Sequence, residues 1–215
     1  MSKTWNRWLI YGIGVLMLAV GITMNTKTGM GVSPIVSVAY SAARIFGWSL
    51  GSMTFAVYCL FVAGEFLLRG KHYRWKDLLQ LPFSFVFGEL LDLVDRLVTY
   101  DSTHHSLAEN LCFLVAAVVA CGIGVVMTVN MQLVPNPGDG IVQALAERFG
   151  KEQGVMKNMF DTCCVALTVV LSLTLSGQVI GIGLGTIAAM VGVGRVISAV
   201  NHLTKENMCR AAGLM

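Results

Sequence analysis

The chain is 215 residues long, 55% hydrophobic and only 13% charged, with a formal net charge of +3. Soluble domains carry about 25% charged residues, so this composition excludes an ordinary water-soluble enzyme, and so modest a positive charge argues against a nucleic-acid partner. The six cysteines follow no metal-ligand or redox spacing, and most fall in apolar runs, where they act as small apolar residues.

Lys3 and Arg7 precede the first apolar segment, about 8–26, which contains Gly12-Ile13-Gly14-Val15. No clear small-x-small cleavage site follows, so the segment reads as a retained span and not as a signal peptide. Gly29 and Gly31 then interrupt the chain before Ser33-Pro34. Serine suits a helix N-cap and proline the first helical position, where its missing N–H is no loss. The helix that follows, 34–46, is under about 20 Å long, too short for a hydrocarbon core of about 30 Å. It is predicted as a half-helix, re-entrant or interfacial.

A second span covers about 48–68, with Glu65 and Arg69 four residues apart at its end as a snorkelling pair. The third, about 77–98, has the weakest apolar run. Its Glu89, Asp92 and Asp95 form either an acidic lane or, more simply, the polar end of a helix whose apolar part stops early. His104-His105 lies on the loop beyond, where adjacent histidines do not make a metal site. The fourth span, about 108–131, carries Gly122-Ile123-Gly124-Val125. Pro135, Asn136, Pro137 and Gly138 break the chain again, and Asp139 is the predicted cap of a second half-helix, 140–149. The fifth span is about 155–176, with Asp161 roughly two turns inside. The sixth is about 180–202, and its Gly181-x-Gly183-x-Gly185 opening suits close helix packing better than a phosphate loop, because no strand precedes it.

The two halves repeat each other. The GIGV motifs match at an offset of 110, Ser33-Pro34-Ile35-Val36 resembles Asp139-Gly140-Ile141-Val142, and Phe46-Gly47-x-x-x-Gly51-x-Met53 returns as Phe149-Gly150-x-x-x-Gly154-x-Met156. Phe87-Gly88-Glu89-Leu90 likewise parallels Val193-Gly194-Arg195-Val196. The reading is a single membrane domain, 1–215, of two repeats, about 8–98 and 108–202. Lys3, Arg7, the Arg69, Lys71, Arg74, Lys76 loop, Arg148, Lys151, Lys157, Lys205 and Arg210 then fall on one side, the cytoplasm, and only Lys27 is misplaced. Three crossings per repeat invert the second copy. The predicted fold is therefore an all-α polytopic membrane protein: six transmembrane helices in two inverted repeats of three, each with a short half-helix after its first span, and both termini cytoplasmic.

In inverted repeats, paired interruptions mark a midplane binding site. Candidate substrate-binding residues are accordingly Ser33, Pro34, Asp139 and Gly140, unless the short helices are plain surface connectors. Glu89 and Arg195 fall near the middle of their spans and are expected to pair across the repeats, as a structural or a functional ion pair. Asp161 is a further candidate, an intramembrane carboxylate. No nucleophile–base set, phosphate loop or metal-ligand spacing occurs, so no catalytic activity, metal or cofactor is expected.

At Gly31-Val32-Ser33-Pro34, Pro137-Gly138-Asp139-Gly140, Asp161 and Gly183-Leu184-Gly185-Thr186 the chain resembles the YczE/YitT-type family of bacterial integral membrane proteins. The resemblance covers roughly 8–200 and implies a bacterial cytoplasmic membrane, with no established catalytic activity or cofactor. The expected function is a small-solute transporter, a secondary carrier or permease. The alternatives are a substrate-capture subunit of a multi-component transporter and a non-transporting membrane scaffold. Expected partners are the lipid bilayer and a small molecule or ion, with a homodimer or a protein partner left open.

Overall fold

In lipid an apolar stretch satisfies its backbone only by bonding along itself, and the chain accordingly folds into helices throughout. The computed structural model describes residues 3–72 and 75–214, apart from the side chains at 72, 75, 76 and 153. Arg74 and the Lys76 side chain lie outside the described residues. Eight α-helices run through them: α1 (Lys3–Lys27), α2 (Pro34–Phe46), α3 (Leu50–Arg69), α4 (Gln80–Leu97), α5 (Leu107–Asn130), α6 (Pro137–Phe149), α7 (Gln153–Ser176) and α8 (Leu184–Ala212). Five of these, α1, α3, α5, α7 and α8, are long and apolar enough to cross a bilayer. The protein is a multi-pass, all-helical membrane protein.

The third predicted crossing differs from the rest. Its helix, α4, is not among the five, because Glu89, Asp92, Asp95 and Arg96 interrupt its apolar run. Yet it buries a stripe at helical spacing (Gln80, Ser84, Phe87, Gly88, Leu91 and Val94) and lies antiparallel along α3. Gln80 meets Glu65 at one end, and at the other Asp92 accepts hydrogen bonds from Gly51 N at 2.7 Å and Ser49 Oγ at 2.5 Å. Asp95 holds Lys27 at 3.0 Å, which accounts for the one basic residue on the wrong side of the charge pattern. The acids at 92 and 95 therefore serve the ends of α3 and α1, as the simpler sequence reading expects.

Between transmembrane helices there is no hydrophobic driving force, so close packing and interhelical hydrogen bonds hold the bundle. The most extensive contact joins α1 to α5, antiparallel. A Cβ on Gly124 would stand 2.6 Å from Leu18 N and 2.8 Å from Gly14 O, and one on Gly21 would stand 2.6 Å from Cys121 N. Around it Tyr11, Val15, Leu18, Ile22, Phe87 and Leu91 form the main buried cluster. The short helices pack on distant partners: α2 runs alongside α7 through Ser37–Thr168 (2.8 Å) and Ser41–Ser172 (2.7 Å), and α6 runs alongside α3. Trp5, Trp8 and Trp48 are exposed at helix ends, where amphipathic rings suit the bilayer interface. The last helix runs ten residues past its predicted end, because Cys209 and Ala212 return to pack near the start of α1.

Candidate functional site

Two short helices begin in the same way. Ser33 is extended (φ −61, ψ 147) at the N-cap of α2, with Pro34 next, and Asn136 is extended (φ −64, ψ 134) at the N-cap of α6, with Pro137 next. Both helices end on a left-handed glycine, Gly47 (φ 70) and Gly150 (φ 61), followed by a two-residue link into α3 or α7. The N-cap of α6 is therefore Asn136, whose Oδ1 accepts from Gly138 N at 2.9 Å, and not Asp139. Asp139 sits in the first turn of the helix, at the third position. The signal was present in the sequence, since Pro34 and Pro137 stand at the same offset as Phe46-Gly47 and Phe149-Gly150. Ser33 makes no side-chain cap, so the first-turn N–H groups of α2 are left available.

Both helix starts open into one cavity of about 340 Å³. Its wall is mostly apolar, built by Leu18 and Ile22 of α1, Tyr58 of α3, Cys121 and Val125 of α5, and Met190, Val193 and Ile197 of α8. The polar side is Ser33, Asn136, Asp139, Lys157, Asn158 and Asp161. Asp161 is buried and lies 3.4 Å from Lys157, one turn earlier on α7. Asp139 also lines a second cavity of about 560 Å³, together with Asp77, Pro135 and Gln143, so this residue stands between the two. A third cavity, about 450 Å³, adjoins α2 at Gly31, Val32 and Tyr40 and is also lined by Ile180 and Gly181. The central cavity lies between α7 and α8, which make almost no contact with each other, whereas α3 and α4 pack tightly.

Of the residues singled out from sequence, Ser33, Pro34, Asp139 and Asp161 meet at this cavity. Gly140 does not; it packs against Glu65 and Gln80 behind it. Glu89 and Arg195 require correction. Both are exposed, on α4 and α8, which each pack against α1 and not on one another, and no ion pair joins them among the described residues. Equivalent positions in the two halves need not be neighbours, because the element between them sets their distance. With no partner to strand, Glu89→Gln and Arg195→Gln are thus expected to leave stability unchanged or to raise it, because each removes an exposed charge without leaving another unpaired. Losses of several kcal/mol by both, reversed when the charges are swapped, would restore the pair.

The sequence reading missed Lys157 and Asn158, although their spacing from Asp161 places them on one face of α7. It also misplaced Glu65, which is no snorkelling residue but fully buried. Arg69 Nη1 lies 3.6 Å from Glu65 and bonds Asp77 at 2.7 Å, while its Nε lies 3.3 Å from Glu147 of α6. Outside the spans, hydrogen bonds from Thr103 N and Oγ1 hold the Asp101 carboxyl below the usual carboxylate range and fix the α4–α5 loop.

The chain belongs to the DUF6198 family, a family of unknown function, which it matches over residues 5–202. It is also similar to the uncharacterized protein YyaS of Bacillus subtilis (strain 168). The two are 25% identical over 182 residues, which cover 84% of this chain and 85% of the relative. No solved structure matches the chain.

Proposed function

We propose that this DUF6198 protein is a small-solute carrier of the bacterial cytoplasmic membrane. In this reading α1, α3, α4, α5, α7 and α8 are six crossings in two inverted repeats of three, with both termini in the cytoplasm. The observation that carries it is the central cavity, in which the N-termini of two half-helices meet, one from each half of the chain. Half-helix ends near the midplane are the usual construction of a carrier site.

Matched contacts support the duplication. Ser37 meets Thr168 and Gly140 meets Glu65, and both relations, 37 to 140 and 65 to 168, are steps of 103 residues. The 560 Å³ cavity beside α6 and the 450 Å³ cavity beside α2 correspond in the same way, Gln143 to Tyr40 and Asp77 to Ile180. That α4 follows α3 from end to end supports its being a crossing despite its charges. The kinship to YczE/YitT-type proteins belongs to the same proposal and rests on the glycine-rich motifs at 31–34, 137–140 and 183–186.

The cavity volume lies at the low end of the roughly 300–1,000 Å³ of small-ligand sites. An apolar wall facing two carboxylates suits a small amphipathic solute with an amino or amide group. The gap between α7 and α8 is its way in. In the other half the corresponding pair, α3 and α4, is closed, so exchanging the two arrangements would carry the site from one membrane face to the other.

The test begins with a thermal-shift screen for a ligand and continues with uptake by purified protein in liposomes. Asp139→Asn and Asp161→Asn should each reduce uptake about tenfold or more, since a hydrogen bond to a charged group is worth roughly 1.5–3 kcal/mol. Folding should be retained in both. Tight binding without uptake would instead make the chain a capture subunit, and a stoichiometric protein partner with no ligand at all would make it a scaffold.

A further inference from the structure

The carrier reading makes no use of the cluster behind Gly140. Glu65 and Gln80 are both fully buried there, with Gln80 Nε2 donating to Glu65 Oε2 at 3.1 Å. The two remaining oxygens, Glu65 Oε1 and Gln80 Oε1, are buried acceptors with no donor among the described residues. They converge on one point. A Cβ on Gly140 would stand 2.9 Å from Gln80 Oε1 and would overlap Glu65 Oε1.

A buried acceptor left unsatisfied is unfavourable by about 1–3 kcal/mol, and here two of them face the same small space. Turning the Gln80 amide over gives no relief, because it only exchanges which carboxylate oxygen faces the amide oxygen. A metal ion does not fit either. Hard cations take about six oxygens, whereas two are on offer and the α6 backbone closes the space. One proton satisfies both. With hydrogen on Glu65 Oε1, that O–H donates to Gln80 Oε1 while Gln80 N–H donates to Glu65 Oε2, a closed acid–amide ring of two hydrogen bonds.

The charged groups facing Glu65 fit this arrangement. From α3 itself comes Arg69, from the turn before α4 Asp77, and from α6 Glu147. Arg69 already serves Asp77 and Glu147, so an ionised Glu65 would put a third carboxylate around one guanidinium.

We propose that Glu65, closed against Gln80 by the first turn of α6, is a proton-binding site. The carboxyl holds its proton while Gly140 of α6 is packed against Glu65 and Gln80. Any link to solute movement rests on the carrier reading, since the same turn carries Asp139 into the central cavity. The proton itself does not depend on that reading.

Infrared spectroscopy of the full chain in lipid at neutral pH tests it without a transport assay. The expected result is a protonated-carboxyl carbonyl band that shifts to lower frequency in deuterium oxide. It should also shift when glutamate carboxyls, and not aspartate carboxyls, are labelled with carbon-13. Among the described glutamates only Glu65 is buried. Glu65→Gln should abolish the band while keeping a neutral ring with Gln80. If that variant does not fold, the labelling of the parent protein decides. No such band, a band that follows aspartate labelling, or one removed by sodium chloride at fixed pH would each overturn the proposal. None of these outcomes bears on whether liposomes take up a solute, so the two readings fail separately.

Discussion

Replacing Gly124 with valine is expected to destabilise the bundle by about 3 kcal/mol or more, at or beyond the upper end of ordinary overpacking. The new Cβ would stand 2.6 Å from Leu18 N and 2.8 Å from Gly14 O. Both are backbone atoms of α1, so no rotamer change can make room and the two helices must separate. Separation would also disturb Leu18, Ile22, Cys121 and Val125, which line the central cavity. Gly12→Ala is the control, because nothing lies within 4 Å of a Cβ there, and alanine is about 1 kcal/mol the better helix former. Thermal or denaturant unfolding in detergent measures both. A Gly124→Val protein as stable as the parent would mean that α1 and α5 do not cross at these glycines.

The second large effect is expected at Arg69. Arg69→Met removes the cation that Asp77 and Glu147 share. Removing one partner of a buried charge network is unfavourable by roughly 3–5 kcal/mol, because the remaining charge is left in a poor dielectric. Arg69→Lys should recover part of the loss, since an ammonium keeps the charge but not the planar fork that reaches two carboxylates at once. Yield and melting temperature read the series, expected in the order parent, lysine, methionine. If the methionine variant melts with the parent, the network contributes nothing and α6 is held on α3 by packing alone.

The local pattern of the chain determines its helices. Apolar runs bounded by Gly, Pro and charge place α1, α3, α5 and α7 within a few residues of their observed limits, because in an apolar setting a helix is the only way to satisfy the backbone. The short helices are legible too, from Ser33-Pro34 and Phe46-Gly47 and from their counterparts at Asn136-Pro137 and Phe149-Gly150. What the glycine motif does is not legible. Gly12-Ile13-Gly14-Val15 and Gly122-Ile123-Gly124-Val125 stand out as a repeat, but only the folded chain presses Gly124 against Gly14 and leaves Gly12 with nothing nearby.

Charges follow the same division. Composition shows that Glu65, Glu89, Asp161 and Arg195 are unusual for a membrane chain, but not which way each one points. Half a helical turn separates a residue facing a neighbouring helix from one facing lipid. Glu65 is enclosed because Gly140 of a helix 75 positions away packs on it, and Glu89 is exposed because α3 and α1 cover the other side of α4. Those contacts join residues far apart in sequence, and their energy depends on shape and distance and on no periodic pattern in the chain. The ring between Glu65 and Gln80, the cavity behind Asp139 and the gap between α7 and α8 therefore belong to the tertiary structure alone.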